Sequence, residues 1–389
     1  VRQVNDEIGL LEPNVAPLVT LLNRMKKRVP VKSPRWEWFE DDYSARWSSN
    51  TNLMAADTTV VTMTVPDTSV FLPGDLFVVC KALDVSLVPE MCRVAAIAGA
   101  GAPGTLTIVR NVGGPASIPS TSTIPAGAPL RIVGNAFEEG AAVASSRTTI
   151  PVKNVSYTQI FKTSIEFAKT AIATQVYGAP NGDRAREHAK KLKEHKILMN
   201  SALLFSTPSE NMTGGPGGKP IRTTMGLIPA IKTNITDAGG TVTKKVFEGF
   251  SRQAFRYGNN TKILLAAPTI KSAINEWARE FLLVKPGETK YGVKIQQIET
   301  AHGTWLLVND WMLESVGAYG FGATALSIDL DQIRYMYLSN NGINRDTAIH
   351  EDVVQTGEDK VVDEILTEGG FAIQQEKYHA RLFNVQDYQ

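Results

Sequence analysis

The side chains of greatest chemical reach in this sequence are five histidines, His188, His195, His302, His350 and His379, and two cysteines, Cys80 and Cys92. A zinc-type centre needs three or four such ligands converging at about 2 Å. His188 and His195 stand two helical turns apart, roughly 10 Å of rise, which is too far for one ion. They read as polar-face helix residues outside any known metal spacing. The cysteines lack the spacing of a metal knuckle, and so few point to a reducing compartment. Their flanks, Phe77 to Cys80 and Met91 to Arg93, read as neighbouring strands, which leaves a cross-strand disulfide and two buried thiols both open.

Two glycine-rich stretches have the look of phosphate loops. Gly99-Ala-Gly101-Ala-Pro-Gly104 has dinucleotide-binding spacing, but Thr105 to Arg110 reads as another strand, so no helix N-terminus follows to receive a pyrophosphate. A hairpin turn is expected there. Gly214-Gly-Pro-Gly-Gly-Lys219 has Thr213 in place of the first glycine and Pro220 in place of the hydroxyl residue that a phosphate loop requires. The carboxylate pairs Asp41-Asp42, Glu138-Glu139 and Glu351-Asp352 are immediate neighbours, and on an extended chain neighbours point to opposite faces, not toward one substrate. No Gly-x-Ser-x-Gly elbow or cysteine-nucleophile signature is present. The expectation is a protein without catalytic, cofactor-binding or metal residues, and not an enzyme.

Two patterns suggest binding instead. Arg184, Arg186, Lys190, Lys191, Lys193 and Lys196 face only Glu187 and Glu194 between them. Such a run is either a solvated helix face making local ion pairs or a wall toward DNA or an acidic neighbour. With 40 Lys and Arg against 39 Asp and Glu, the chain as a whole has no basic excess, so any DNA contact is local. The second pattern is Pro34 to Trp47, which has no helical period yet carries three of the six tryptophans. Trp36, Trp38, Phe39, Tyr43 and Trp47 must dock somewhere. The two candidates are the same chain and a neighbouring subunit.

The elements that position these residues follow from periodicity. Pro17 opens a short amphipathic helix with Leu18, Leu21, Leu22 and Met25 on one face; Lys26, Lys27 and Arg28 suit its C-terminus, and Pro30 stops it. Residues 57 to 134 alternate as short strands between Gly/Pro turns, a small all-β barrel or sandwich. Val155, Tyr157, Phe161, Ile165 and Phe167 keep one parity, a long strand able to project as a hairpin arm, with Ser156, Thr158, Lys162 and Glu166 on its polar face. From Asp183 a long helix carries Ala185, Ala189, Leu192, Met199 and Leu203 as its apolar stripe. Pro208 to Pro220 reads as a flexible loop. Beyond Gly226 strands and helices alternate, including a strand from Lys262, a helix from Pro268 and strands near 294 to 298, 305 to 308, 334 to 338, 370 to 374 and 378 to 385. A 43% apolar content supports real cores. The first 25 residues do not resemble a signal peptide, and no apolar run reaches the roughly 18 residues of a membrane span. A soluble α+β protein is expected.

The segments Asn5-Asp-Glu-Ile-Gly-Leu-Leu-Glu-Pro13, Trp36-Glu-Trp-Phe-Glu-Asp41, Gly134-Asn-Ala-Phe-Glu-Glu-Gly140, Asn154-Val-Ser-Tyr-Thr-Gln-Ile-Phe161 and Leu192-Lys-Glu-His195 resemble a branch of tailed-phage major head proteins. The element order resembles the Hong Kong 97-type capsid fold. That resemblance implies an N-terminal arm (1–56), an inserted β-module (57–134), an extended loop (135–177), a spine helix with the start of a peripheral domain (178–225), an axial domain with peripheral strands (226–350) and a C-terminal return (351–389). It implies a subunit forming pentamers and hexamers and closing into an icosahedral shell around double-stranded DNA, assembled in the bacterial cytoplasm and found in the virion. Portal, scaffolding and decoration proteins would be its partners, with no membrane and no cofactor. Leu18, Leu22 and the arm aromatics would contact neighbours; Tyr157, Phe161, Ile165 and Phe167 would lie along one; Arg184, Arg186, Lys190, Lys191 and Lys193 would face DNA or a neighbour. The rival expectations are an encapsulin-like compartment around an enzyme, and a monomeric polysaccharide hydrolase with Trp305 or Trp311 stacking on sugars.

Overall fold

A computed structural model describes residues 17–24, 27–54, 60–80, 90–99, 101–112, 123–173, 183–281, 284–290, 293–314, 323–353 and 358–388. The chain divides into two units, 39–152 and a second made of 1–38 with 153–389. Met25, Lys26 and the Asn5 to Pro13 motif lie outside the described residues.

In the unit 39–152, apolar and polar residues alternate, and an alternating strand buries one face only. The six strands Trp47–Ser49, Pro129–Asn135, Asp75–Val79, Glu90–Gly99, Gly104–Val109 and Val60–Val65 lie side by side in that order, every pair antiparallel. Met63, Val65, Phe77, Val79, Cys92, Val94, Leu106, Ile108 and Leu130 form its core. The glycine stretch 99–104 is the turn of the hairpin it was expected to be. The module boundaries expected at 57 and 134 fall inside this unit. It begins earlier because Trp47–Ser49 pairs with Pro129–Asn135. Cys80 and Cys92 are free thiols, and burial pushes that of Cys92 up to about 12.

The other unit has two larger sheets. One runs Arg28–Val31, Ile333–Asn340, Lys360–Ile373, Gln159–Ala168. The other has seven strands, in the order Ile235–Val242, Ala380–Tyr388, Ala323–Ile328, Thr261–Ala266, Gly303–Asn309, Val293–Thr300, Val284–Lys290. Helices Lys244–Ala254 and Pro268–Phe281 pack on this second sheet. Thr243 caps the first of them, its hydroxyl accepting from the Val246 amide at 3.4 Å. The core holds Trp305, stacked 5.8 Å from Phe250 and donating its ring N–H to Ser251. Beside it Lys262 is wholly buried, and its ammonium donates to the carbonyls of Ala254, Tyr257 and Tyr378 at 2.6–2.7 Å. These bonds join the end of a helix, a loop and the approach to the last strand.

Three local expectations are corrected. The arm helix is Pro17–Arg24 only, and Pro30 lies in the strand Arg28–Val31. That strand is the outermost of its sheet, where a missing N–H is tolerated. The Lys27 amide donates to the Leu22 carbonyl at 3.2 Å while its ammonium pairs with Asp331 at 2.7 Å, and Arg28 pairs with Asp346. The loop expected over 208–220 is shorter, 212–220, and it closes a hairpin between the antiparallel strands Ser209–Asn211 and Ile221–Thr223. The long strand breaks at Thr158 into Val152–Tyr157 and Gln159–Ala168. The buried parity switches there. Ser156 and Thr158 go inward, satisfied by the Phe371 carbonyl at 2.9 Å and Glu368 at 3.2 Å, whereas Phe161 and Ile165 are the buried residues beyond the break.

Candidate functional site

The long helix Asp183–Phe205 packs against the strand Gln159–Ala168, which pairs antiparallel with Lys360–Ile373 over ten residues. Helix positions 184, 188 and 195 fall on one face. On the strand, 363 and 367 share a parity and therefore a side. These two sets form a polar seam. The Arg184 guanidinium donates twice to Asp363, Nε to Oδ2 and Nη2 to Oδ1, both at 2.7 Å. His188 Nε2 lies 2.6 Å from Asp363 Oδ2, and the Asp352 amide donates to Oδ1 at 3.1 Å. Two turns further on, His195 is fully buried, with Nδ1 2.9 Å from Thr163 Oγ1 and Nε2 2.8 Å from Thr367 Oγ1.

Charge and burial act differently at the two ends. The Arg184 guanidinium holds the Asp363 carboxyl well below the usual carboxylate range, and the carboxylate in turn raises Arg184. Burial lowers His195, which favours the neutral ring. The seam is thus an ion-paired clamp followed by a neutral hydrogen-bonded rung. It fixes the rotation and register of the long helix on the sheet. His188 and His195 are corrected from solvated polar-face residues to members of this seam. Among the described residues no three His, Cys, Asp or Glu side chains group to hold a metal ion.

A second tight region adjoins it. A Cβ on Gly370 would lie 2.3 Å from the Tyr157 carbonyl and 2.7 Å from the Trp36 ring, so glycine is required there for steric reasons alone. The Phe371 amide donates to Thr224 Oγ1 at 2.8 Å, and Arg345 pairs with Glu368.

The expected binding residues separate into distinct environments. Leu18 and Leu22 are buried in their own chain with Met199 and Leu203, and the Val19 amide donates to Asn200 at 3.4 Å. Phe161 and Ile165 are likewise interior, so none of these four is open to a neighbour as expected. Their apolar surface is already covered by the same chain. Tyr157, Phe167, Trp36 and Trp38 are half-buried. Phe39, Tyr43 and Trp47 stand out in water, at 69%, 97% and 51% exposure. Of the basic run, Arg184 belongs to the seam. Arg186 and Lys190 approach Glu187 at 3.2 and 3.8 Å, and Lys191 meets Glu194 at 2.6 Å, the local pairing of a solvated helix face. Lys193 is exposed. Trp305, fully buried, cannot stack on a sugar. The seam's strand-side partners, Asp363, Thr367 and Thr163, were not anticipated. Asp363 and Thr367 reach the helix across nearly half the chain, and Thr163 from 32 residues before His195, so none of the three leaves a local motif.

Comparison with solved proteins places this architecture. The capsid of a native GTA particle, computed with C5 symmetry, aligns over 99% of this chain and 95% of its own at a TM-score of 0.50 and 8% identity. The holo-SrpI encapsulin complex from Synechococcus elongatus PCC 7942 aligns over 62% of this chain and 80% of its own, at a TM-score of 0.45 and 11% identity. The fold is the Hong Kong 97-type capsid fold. In sequence, the major capsid protein of Pseudomonas phage PaMx41 is 24% identical over 234 residues, 56% of this chain. The match spans 54% of that relative's length, about half. The family model for the SU10 major capsid protein matches residues 1–386, and the chain belongs to that family. This is a family of structural capsid proteins and not of enzymes. No helix among the described residues is long and apolar enough to cross a membrane.

Proposed function

We propose that this chain assembles with itself, as pentamers and hexamers, into the icosahedral shell that encloses the double-stranded DNA of a phage. The observation that carries the proposal is the apolar surface that the folded chain leaves in water. Residues 136–151 form no helix or strand, and Val143 and Ile150 are 100% and 85% exposed. Phe39 and Tyr43 add to them within the same unit. A lone soluble protein rarely leaves so much apolar side chain uncovered, and in a closed lattice each copy covers its neighbour's. The basic face at Lys190, Lys191 and Lys193 would meet DNA weakly and without sequence preference, with contacts that salt weakens. Assembly in the host cytoplasm and incorporation into the virion, with portal, scaffolding and decoration proteins as partners, complete the reading.

Sedimentation and electron microscopy of the purified protein test it. Ring oligomers or megadalton shells are expected, and particles from infected cells should hold nuclease-protected DNA. A persistent monomer at high concentration refutes self-assembly. Particles filled with an enzyme and free of DNA would instead make the protein a compartment shell.

A further inference from the structure

The unit 39–152 presents a groove of about 520 Å³ lined by Arg46, Trp47, Val78, Cys80, Arg131 and Val133. It lies on the outer side of the sheet. Trp47 is directly opposite Arg131, and Arg131 is opposite Val78 on the next strand, while Phe77, Val79 and Leu130 point the other way into the core. The Arg131 guanidinium sits 5.0 Å over the Trp47 ring, which flattens the wall of the groove and leaves the cation at its rim. Among the described residues neither Arg46 nor Arg131 has an acidic side chain within ion-pairing distance. The groove therefore combines two unneutralised cations, an indole face and an apolar floor made by Val78 and Val133, the last 58% exposed.

The same unit carries the complementary shape. Phe39-Glu-Asp-Asp-Tyr43 places three carboxylates between two aromatic side chains that are 69% and 97% exposed. Tyr43 is only three positions from Arg46, and in the folded chain it does not close over its own groove. We propose that the segment Phe39–Tyr43 of one copy docks into the Arg46–Trp47–Arg131 groove of an adjacent copy, aromatic rings on the indole and valine floor, carboxylates on the two guanidinium groups. The contact joins different patches on the two copies, so it propagates head to tail and closes into rings when the rotation permits. Charge complementarity fixes its direction, because two grooves or two acidic segments repel. The proposal rests on self-assembly and adds which surfaces meet.

Cys80 in the groove supplies the test, since Cys92 is buried and does not compete. A Tyr43→Cys variant, assembled and mildly oxidised, should give a ladder of disulfide-linked dimers and higher species on a non-reducing gel. The ladder should be lost with Cys80→Ser added, and lost with Arg131→Glu added. Phe39→Cys probes the other end of the segment and guards against a folding defect specific to position 43. Combining Arg131→Glu with Asp41→Arg and Asp42→Arg should restore association that Arg131→Glu alone weakens. Normal shells by electron microscopy with no ladder from either cysteine variant overturn this contact and leave self-assembly standing. A faster-migrating monomer as the sole product overturns it in favour of closure within one chain. Absence of both particles and ladder at every concentration overturns both proposals.

Discussion

Asp363→Asn is the sharpest perturbation of the seam, because it keeps the side chain's shape and removes its charge. The carboxylate now accepts two bonds from Arg184 at 2.7 Å and faces His188 at 2.6 Å, with no exposure of its own. An amide has one oxygen, and its NH₂ turns donors toward the guanidinium donors. Two charge-assisted bonds at about 1.5–3 kcal/mol each would total roughly 3–6 kcal/mol. Arg184 keeps 32% of its side-chain surface in water, and water recovers part of that loss, leaving about 2–3 kcal/mol. For a unit of this size each kcal/mol moves the melting point by about 2–4 °C, so Tm should fall by roughly 4–12 °C. Calorimetry of the unassembled subunit is the assay. Arg184→Met, which strands a buried carboxylate, should cost about 3–5 kcal/mol, and the double variant should fall short of the sum by about 1–3 kcal/mol. The folded carboxyl titrates below its unfolded value near 3.9, so its stabilisation is complete above that pH and disappears as pH falls through the lowered value. The difference between wild type and Asp363→Asn should accordingly stay constant from pH 7 to 5 and collapse only in stronger acid. A Tm within 1 °C of wild type at neutral pH, or strict additivity with Arg184→Met, would refute the clamp.

Other consequences are independent of the seam. His379 is wholly buried, and burial lowers it to about 3. The unfolded chain takes up its proton below about pH 6.5 while the folded chain does not, so stability should drop by about 2 kcal/mol between pH 7 and 5. Denaturant titrations should show that slope in wild type and a flatter one in His379→Asn. Leu22→Ala removes a side chain that is 1% exposed and should lower stability by about 2–5 kcal/mol in urea melts, whether or not shells are present. An effect seen only in assembled particles would return Leu22 to an intersubunit role. Gly370→Ala pushes a methyl group onto the Tyr157 carbonyl and should cost about 1–3 kcal/mol by thermal melting. An unchanged Tm there would mean that the strand and Trp36 shift apart freely.

Periodicity made the elements legible where one face is apolar. The hairpins of 60–109, the helix from Pro268 and the strand from Thr261 stand close to where alternation and capping placed them. It failed where the buried face is polar. Ala185, Ala189, Leu192, Met199 and Leu203 formed the expected core stripe of the long helix, yet Ala185 and Ala189 are exposed and only the C-terminal end of the stripe is interior. In the first half the inward positions are Arg184, His188 and His195, whose partners Asp363 and Thr367 are more than 170 residues away. Hydropathy scores those residues as surface because it cannot see the partner that makes burial tolerable. The break at Thr158 escaped for the same reason: Ser156 and Thr158 go inward because Phe371 and Glu368 supply acceptors from a distant strand. Lys262 is the extreme case, a charged residue at the head of an apolar strand that is satisfied by three backbone carbonyls which no sequence pattern records.

The two halves of the long helix therefore answer to different forces. Its C-terminal half is held by Met199, Leu203 and Leu204 against Leu18 and Leu22, a contact of apolar surfaces that tolerates small slides and swaps of similar volume. Its N-terminal half is held by directed bonds to Asp363, Thr163 and Thr367, which fail on a shift of about an ångström. A subunit that must present the same surfaces in every copy of a shell needs one end of its longest helix fixed in rotation. An apolar stripe alone would leave that rotation loosely specified, and the seam supplies the missing direction at the cost of being invisible to hydropathy.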